Sequence, residues 1–177
     1  MAAVKKENTF TLKTENKNRN TATAVVVLAV AAVLLAIDQM LKYFVLRDLR
    51  PVGTVTVIPG LLELTYVENT GAAFGLFKQV MWLVVAVTVV ATVAIIVLLF
   101  RYKRHSFFSY TTAALLMAGG IGNLIDRIAH GFVVDYIDFR LIHFPVFNLA
   151  DICVCVGTGL LILYVFLAEG RHHEPRN

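Results

Sequence analysis

Two aspartates, Asp135 and Asp151, lie in the stretch GGIGNLIDRIAHGFVVDYIDFRLIHFPVFNLAD, residues 119–151. If the chain between them folds back, both carboxylates come to the rim of one bundle. Two close carboxylates do not ionise together comfortably, so they share a proton. One then takes a proton from water while the other protonates a carbonyl oxygen. That is general acid–base hydrolysis of a peptide bond without a covalent intermediate. A plainer reading of Asp151 stands beside this one. Asn148 is well placed as a helix N-cap, and a carboxylate in the following turn is favoured by the helix dipole.

The other polar residues of the region divide into supporting and structural candidates. Asn123, Asp126 and Arg127 lie within one helical turn, with Asn123 and Arg127 on one face. Arg127 either snorkels to the membrane interface or forms a fixed cation for the substrate or its lipid-attached end. Asp38 and Lys42, at i and i+4, can pair and lower each other's cost; Asp38 is either half of a packing ion pair or a catalytic acid, and the adjacent lysine favours the former. Asn69, in ENTG, is a turn residue or a binder of peptide backbone. Asp138 and Arg140 fall in the same window without a chemical partner. His130 and His143 read as interfacial. No GxSxG or HExxH pattern occurs, so neither a serine nucleophile nor a metal is expected. Cys153 and Cys155 have no second pair for zinc and read as small buried hydrophobes.

The elements that position these groups are apolar. Of 177 residues, 58% are hydrophobic and 16% charged, and the mean hydropathy is +0.74, which points to an integral membrane protein. Apolar runs near 22–46, 80–100, 107–129 and 147–168 are each long enough to span a hydrocarbon core about 30 Å thick, and in lipid they must be helical. Lys5, Lys6, Lys13, Lys17, Arg19, the RYKRH connection at 101–105, Arg171 and Arg176 fall on one side of four spans. The positive-inside rule makes that side cytoplasmic. The connections 47–79 and 130–146 then face outward, carrying the two aspartates with them. TVTVI and LELTYV, separated by Pro59 and Gly60, predict a β-hairpin lying on the membrane. The following ENTGAAFGLF suits close backbone approach.

The expected organisation is a membrane all-α fold with four transmembrane helices and a small extracytoplasmic β-hairpin. A disordered basic tail occupies 1–21, the membrane domain 22–169 and a second tail 170–177. The first apolar run is too long for a signal peptide. The basic segments set topology, and no nucleic-acid surface is expected. A small proton-coupled transporter or channel would use acids near the midplane; here they fall at one rim, and no internal repeat is visible. A purely structural membrane partner leaves so many polar residues on one side unexplained.

DQMLK (38–42), ENTGAAFGLF (68–77), GNLIDR with GFVVDYIDF (122–139) and FNLAD (147–151) resemble, in order and spacing, the motif blocks of the lipoprotein signal peptidase, or signal peptidase II, family. The likeness covers about 25–168, and only the longer N-terminal extension departs from it. The resemblance implies an aspartyl peptidase of the bacterial cytoplasmic membrane that cuts prolipoproteins before a diacylglyceryl-modified cysteine. It implies Asp135 and Asp151 as the catalytic pair, Asn69, Asn123, Arg127 and Asn148 in support, and Asp38, Lys42 and Asp126 as structural polar residues. It further implies a β-cradle formed by the outer hairpin, no metal, and inhibition by globomycin-type cyclic peptides. A monomer without a cofactor is expected.

Overall fold

The computed structural model describes residues 2–70, 77–101, 107–142 and 144–170. Most of ENTGAAFGLF, the interior of the RYKRH connection, His143 and the C-terminal tail lie outside them. The helices are α1 (Ala2–Phe44), α2 (Phe77–Arg101), α3 (Phe107–His130) and α4 (Leu149–Gly170), and the strands are β1 (Thr54–Ile58), β2 (Leu62–Asn69) and β3 (Val133–Phe139). A π-helical turn, Val45–Leu49, continues α1, and a 3₁₀ turn, Arg140–Ile142, follows β3. α1 begins at Ala2, so helix continues through the stretch whose polar composition predicts disorder. A helix nucleated in the apolar part extends one bond per residue, which composition alone does not register.

Two helical segments, Thr21–Leu49 and Phe108–His130, are long and apolar enough to cross a membrane. α2 and α4 contribute the shorter apolar stretches Trp82–Val97 and Leu149–Tyr164. Their outward faces are apolar too: Trp82, Val87, Val90, Ile162 and Phe166 are all exposed. Water would not support a surface of that kind, whereas lipid does. Cys153 is buried, but Cys155 is exposed on α4, which corrects the expectation that both are buried. In lipid the outside of a helix is as apolar as the inside, so hydrophobicity does not separate the two faces.

α3 packs against α1, α2 and α4. Its inner face is built of small residues: Ala113, Ala114 and Ala118, with Met117, meet Val27 and Ala31 of α1 and are flanked by Ile95 and Ile96 of α2. Without a hydrophobic force between helices in lipid, such small side chains allow backbones to approach closely. α3 approaches α1 closely at Gly122, where a Cβ would stand 2.6 Å from Asp38 Oδ2 and 3.3 Å from Ala150 Cβ.

The expected hairpin is present, but it is two strands of a three-stranded antiparallel sheet in the order β1-β2-β3. The third strand, β3, carries Asp135. Its VVDYIDF sequence does not alternate, because the strand is buried on both sides for most of its length, and its pairing partner lies far back in the chain. Val45 and Leu49 of the π turn pack against Val134 and Tyr136, joining the sheet to the end of α1. Along the β2–β3 pair, Leu64 faces Ile137 and Val67 faces Asp135. Two β2 residues, Thr65 and Tyr66, therefore stand opposite one residue, Tyr136. Such a bulge shifts the side-chain alternation of one strand by one position.

Candidate active site

α4 begins at Leu149 because Asn148 caps it. The Asn148 Oδ1 accepts the Asp151 N–H at 2.9 Å, and Asp151 Oδ2 accepts the Asn148 N–H at 3.1 Å. This is a reciprocal capping box with aspartate at the third helical position. The capping role is thus real, and it fixes the Asp151 carboxylate at the start of the helix. A further orphan donor of the same helix end, the Ala150 N–H, donates to Asp38 Oδ1 at 3.0 Å. Asp38 therefore does more than pair with Lys42: it ties α1 to the start of α4.

Asp135 reaches the same place from β3. Its Oδ1 accepts from Asn148 Nδ2 at 2.6 Å and its Oδ2 from Asn69 Nδ2 at 2.8 Å. Asn148 therefore touches both carboxylates, one through its side chain and one through its backbone. Asn123 completes the set: its Nδ2 donates to Asp151 Oδ1 at 2.7 Å, and its Oδ1 accepts from Asn148 Nδ2 at 3.1 Å. Asn148 and Asp135 are almost wholly buried and Asn123 nearly so, while Asp151 is half-buried. Burial pushes the Asp135 carboxyl up to about 6, helped by the nearby Asp151 charge and opposed by its two asparagine donors and by Lys42. A carboxyl so placed holds a proton that it can give up near neutral pH.

Arg127 is half-buried and donates from Nη1 to the Asn123 carbonyl oxygen at 3.1 Å. The charges acting on its guanidinium are Asp151, Asp126 and Asp135. It lies near the site, as the fixed-cation reading requires, but this hydrogen bond goes to backbone and not to a carboxylate.

The remaining carboxylates belong elsewhere. Asp126 accepts the Val134 N–H at 3.0 Å and so holds β3 against the end of α3. Asp138 accepts from Thr65 at 3.0 Å and lies 3.2 Å from Arg140 Nε. Arg140 also pairs with Glu63, which is opposite Asp138 in the sheet, at 2.7 Å. It thereby joins two like charges that would otherwise repel across the strands. His130 is exposed and stacks on Phe132. Two features escape a reading by spacing. Lys42 reaches not only Asp38, at 3.1 Å, but also Asp126 at 2.9 Å, and the Gln39 amide lies within 3.3 Å of Asp38, Asp126 and the Gly122 carbonyl. The small-residue run GGIG at 119–122 is the available signal that another element comes close there.

A sequence profile of the family described as Signal peptidase (SPase) II matches residues 30–167, a span that contains every residue of this constellation. The chain belongs to the signal peptidase II family. The lipoprotein signal peptidase of Clostridioides difficile (strain 630) is 44% identical over 142 residues, covering 80% of this chain and 95% of that one. The lipoprotein signal peptidase of Brevibacillus brevis is 38% identical over 145 residues, covering 82% and 97%. A bacterial membrane enzyme solved by the in meso method at 2.3 Å superposes with a TM-score of 0.73 at 29% identity, covering 86% of this chain and 93% of that one. A second such structure, at 1.9 Å, also gives 0.73, at 30% identity, covering 79% and 92%. Signal peptidase II is an aspartic-type peptidase family, and the site described above supplies two aspartates that accept from one shared asparagine, Asn148.

Proposed function

We propose that this chain is a membrane-embedded aspartyl endopeptidase that removes signal peptides from prolipoproteins, with Asp135 and Asp151 as its catalytic pair. It cuts before a cysteine that already carries diacylglycerol. The observation that carries the reading is the convergence of β3 and the start of α4 on Asn148, which donates to both carboxylates. One carboxylate draws a proton from water, which attacks the scissile carbonyl carbon. The other gives its proton to the carbonyl oxygen. Collapse of the tetrahedral intermediate breaks the C–N bond, and the amine leaves with a proton returned by the pair. Asn69 and Asn123 hold the carboxylates in place, and Arg127 supplies positive charge beside them.

In this reading residues 22–169 form the peptidase domain, with four membrane-crossing helices and the sheet at the outer face of the cytoplasmic membrane. Both termini are cytoplasmic, following the basic segments. A proton-coupled transporter would carry its titratable pair mid-helix; this pair stands where a strand meets a helix start. The chain is read as acting as a monomer. Globomycin-type cyclic peptides should block the site.

The substrate's lipid chains anchor it beside the pair, each buried CH₂ contributing roughly 0.8 kcal/mol. Incubating the detergent-purified protein with a diacylglyceryl-modified precursor peptide should give cleavage before the modified cysteine, read by mass spectrometry. The unlipidated peptide should be cut far more slowly, and equal rates would remove the anchoring argument. In a background lacking Cys153 and Cys155, a cysteine placed at Thr56 should react with a membrane-impermeant thiol reagent in intact cells; protection there would overturn the topology.

A further inference from the structure

Lys42 is almost wholly buried. Its ammonium has three N–H donors and three oxygens to receive them: Asp38 Oδ2 at 3.1 Å, Asp126 Oδ2 at 2.9 Å and Asn123 Oδ1 at 3.0 Å. The first two contacts are an ordinary buried ion-pair cluster. The third is different, because Asn123 is the residue whose Nδ2 donates to Asp151 Oδ1.

An ammonium can only donate. It therefore decides which end of the Asn123 amide faces it. With Oδ1 toward Lys42 and Asn148, the NH₂ end must face Asp151. The opposite orientation would set donor against donor at Lys42 and Asn148, and acceptor against acceptor at Asp151. A cation donating to an amide oxygen also polarises that amide and strengthens its N–H as a donor. Asp151 thus receives an amide N–H backed by a cation, the Asn148 backbone N–H, and the positive end of α4. Asp135, on a strand, has two asparagine donors and no helix end.

Resting on the reading of Asp135 and Asp151 as the catalytic pair, we propose that Lys42 is a positioning residue. By orienting and polarising the Asn123 amide it makes Asp151 the ionised member that activates water and leaves the proton on Asp135, the acid. The raised carboxyl of Asp135 agrees with this division of roles. Among the described residues, the charged or titratable groups facing the pair are Asp38 and Lys42 from α1, Asp126 and Arg127 from α3, and Tyr136 from β3.

The test compares Lys42→Met/Asp126→Asn with Asp126→Asn alone. The double change removes the cation together with one of its counter-charges, so the buried trio keeps its formal net charge. Asn at 126 can still accept from Val134. With diacylglyceryl-modified precursor peptide and purified full-length protein, the double variant should fall about a hundredfold in kcat below Asp126→Asn. KM should stay within about threefold, and the acid limb of the pH–rate profile should move to higher pH. A merely structural lysine would lower the melting temperature without moving that limb, and a double variant with an unmoved limb overturns the proposal. Asn123→Asp is the second variant: it still accepts from Lys42 and Asn148 but offers Asp151 no donor, so kcat should fall and the same limb should rise. Where the double variant does not fold, Asn123→Asp decides, since the relay runs through that amide and an unmoved limb breaks it. Full activity in Asp135→Asn or Asp151→Asn would instead remove the catalytic pair itself.

Discussion

Two pairs of carboxylates lie close together in this molecule and are held in different ways. Asp38 and Asp126 share a cation, Lys42. Asp135 and Asp151 share asparagines: Asn69, Asn123 and Asn148 supply the side-chain donors. Burial does not separate Asp135 from the first pair, since Asp38 and Asp126 are 2% exposed and Asp135 is 1%; Asp151 is half-buried. A full positive charge at hydrogen-bond distance binds Asp38 and Asp126 into an ion-pair cluster that joins α1 to α3. The two asparagine donors of Asp135 hold it in position without compelling it to ionise. The kind of partner, more than burial or charge count, ranks the acids of this region.

The comparison breaks first if the amide-held pair is not the reacting one. Asp135→Asn and Asp151→Asn should each abolish turnover, by at least the roughly 10²–10⁴ of a general acid–base group. The double variant should be little worse than either single, because members of one unit are non-additive. Each should still bind the lipopeptide, and an active single variant at normal expression would end the mechanism.

The cation-held pair should fail in stability. Lys42→Met alone leaves two buried carboxylates without their cation, and breaking a buried pair in this way costs about 3–5 kcal/mol. The melting temperature of the purified protein should fall sharply. An unchanged value would mean that the two clusters are not held differently after all.

Next in size is the pH dependence of stability. Asp135 is pushed from its ordinary 3.8 up to about 6, so the folded chain binds this proton more tightly than the unfolded chain does. Its contribution to stability is fully present below about pH 4 and is lost as pH rises through about 6, an effect on the order of 3 kcal/mol. Between those pH values the melting temperature of the native chain should fall relative to Asp135→Asn. A constant gap across the range would remove the idea of a strained acid.

The smallest effect belongs to Asp138. It is buried but is held by Thr65 and Arg140 on the sheet, away from both carboxylates of the pair, so Asp138→Asn should keep kcat/KM within about threefold. A large loss would mean that the sheet carries chemistry as well as position.

Much of the site was legible because its signals are local. The Asn148–Asp151 cap is an i, i+3 relation that spacing displays, and Asp38–Lys42 is an i, i+4 one. The apolar runs and the hairpin were legible for the same reason. What remained hidden is nonlocal. β3 pairs with β2 across the whole of α2 and α3, and burial on both sides removes the alternation that would have marked it as a strand. Lys42 reaches Asn123 and Asp126 only because Gly122 lets α1 and α3 approach, a contact no window along the chain contains. The exposure of Cys155 was illegible because lipid makes inside and outside alike.

The bulge at Thr65 and Tyr66 resets the phase of β2. Leu64 and Asn69 lie an odd number of positions apart, so plain alternation would send them to opposite sides of the sheet. The extra residue puts both on the side of Asp135. The odd residue is absorbed locally, so removing Thr65 or Tyr66 would restore a regular ladder, keep Val67 opposite Asp135 and cost only the local twist. In the descent of such a chain, a one-residue difference at this spot is tolerable where the loss of Asn69 is not.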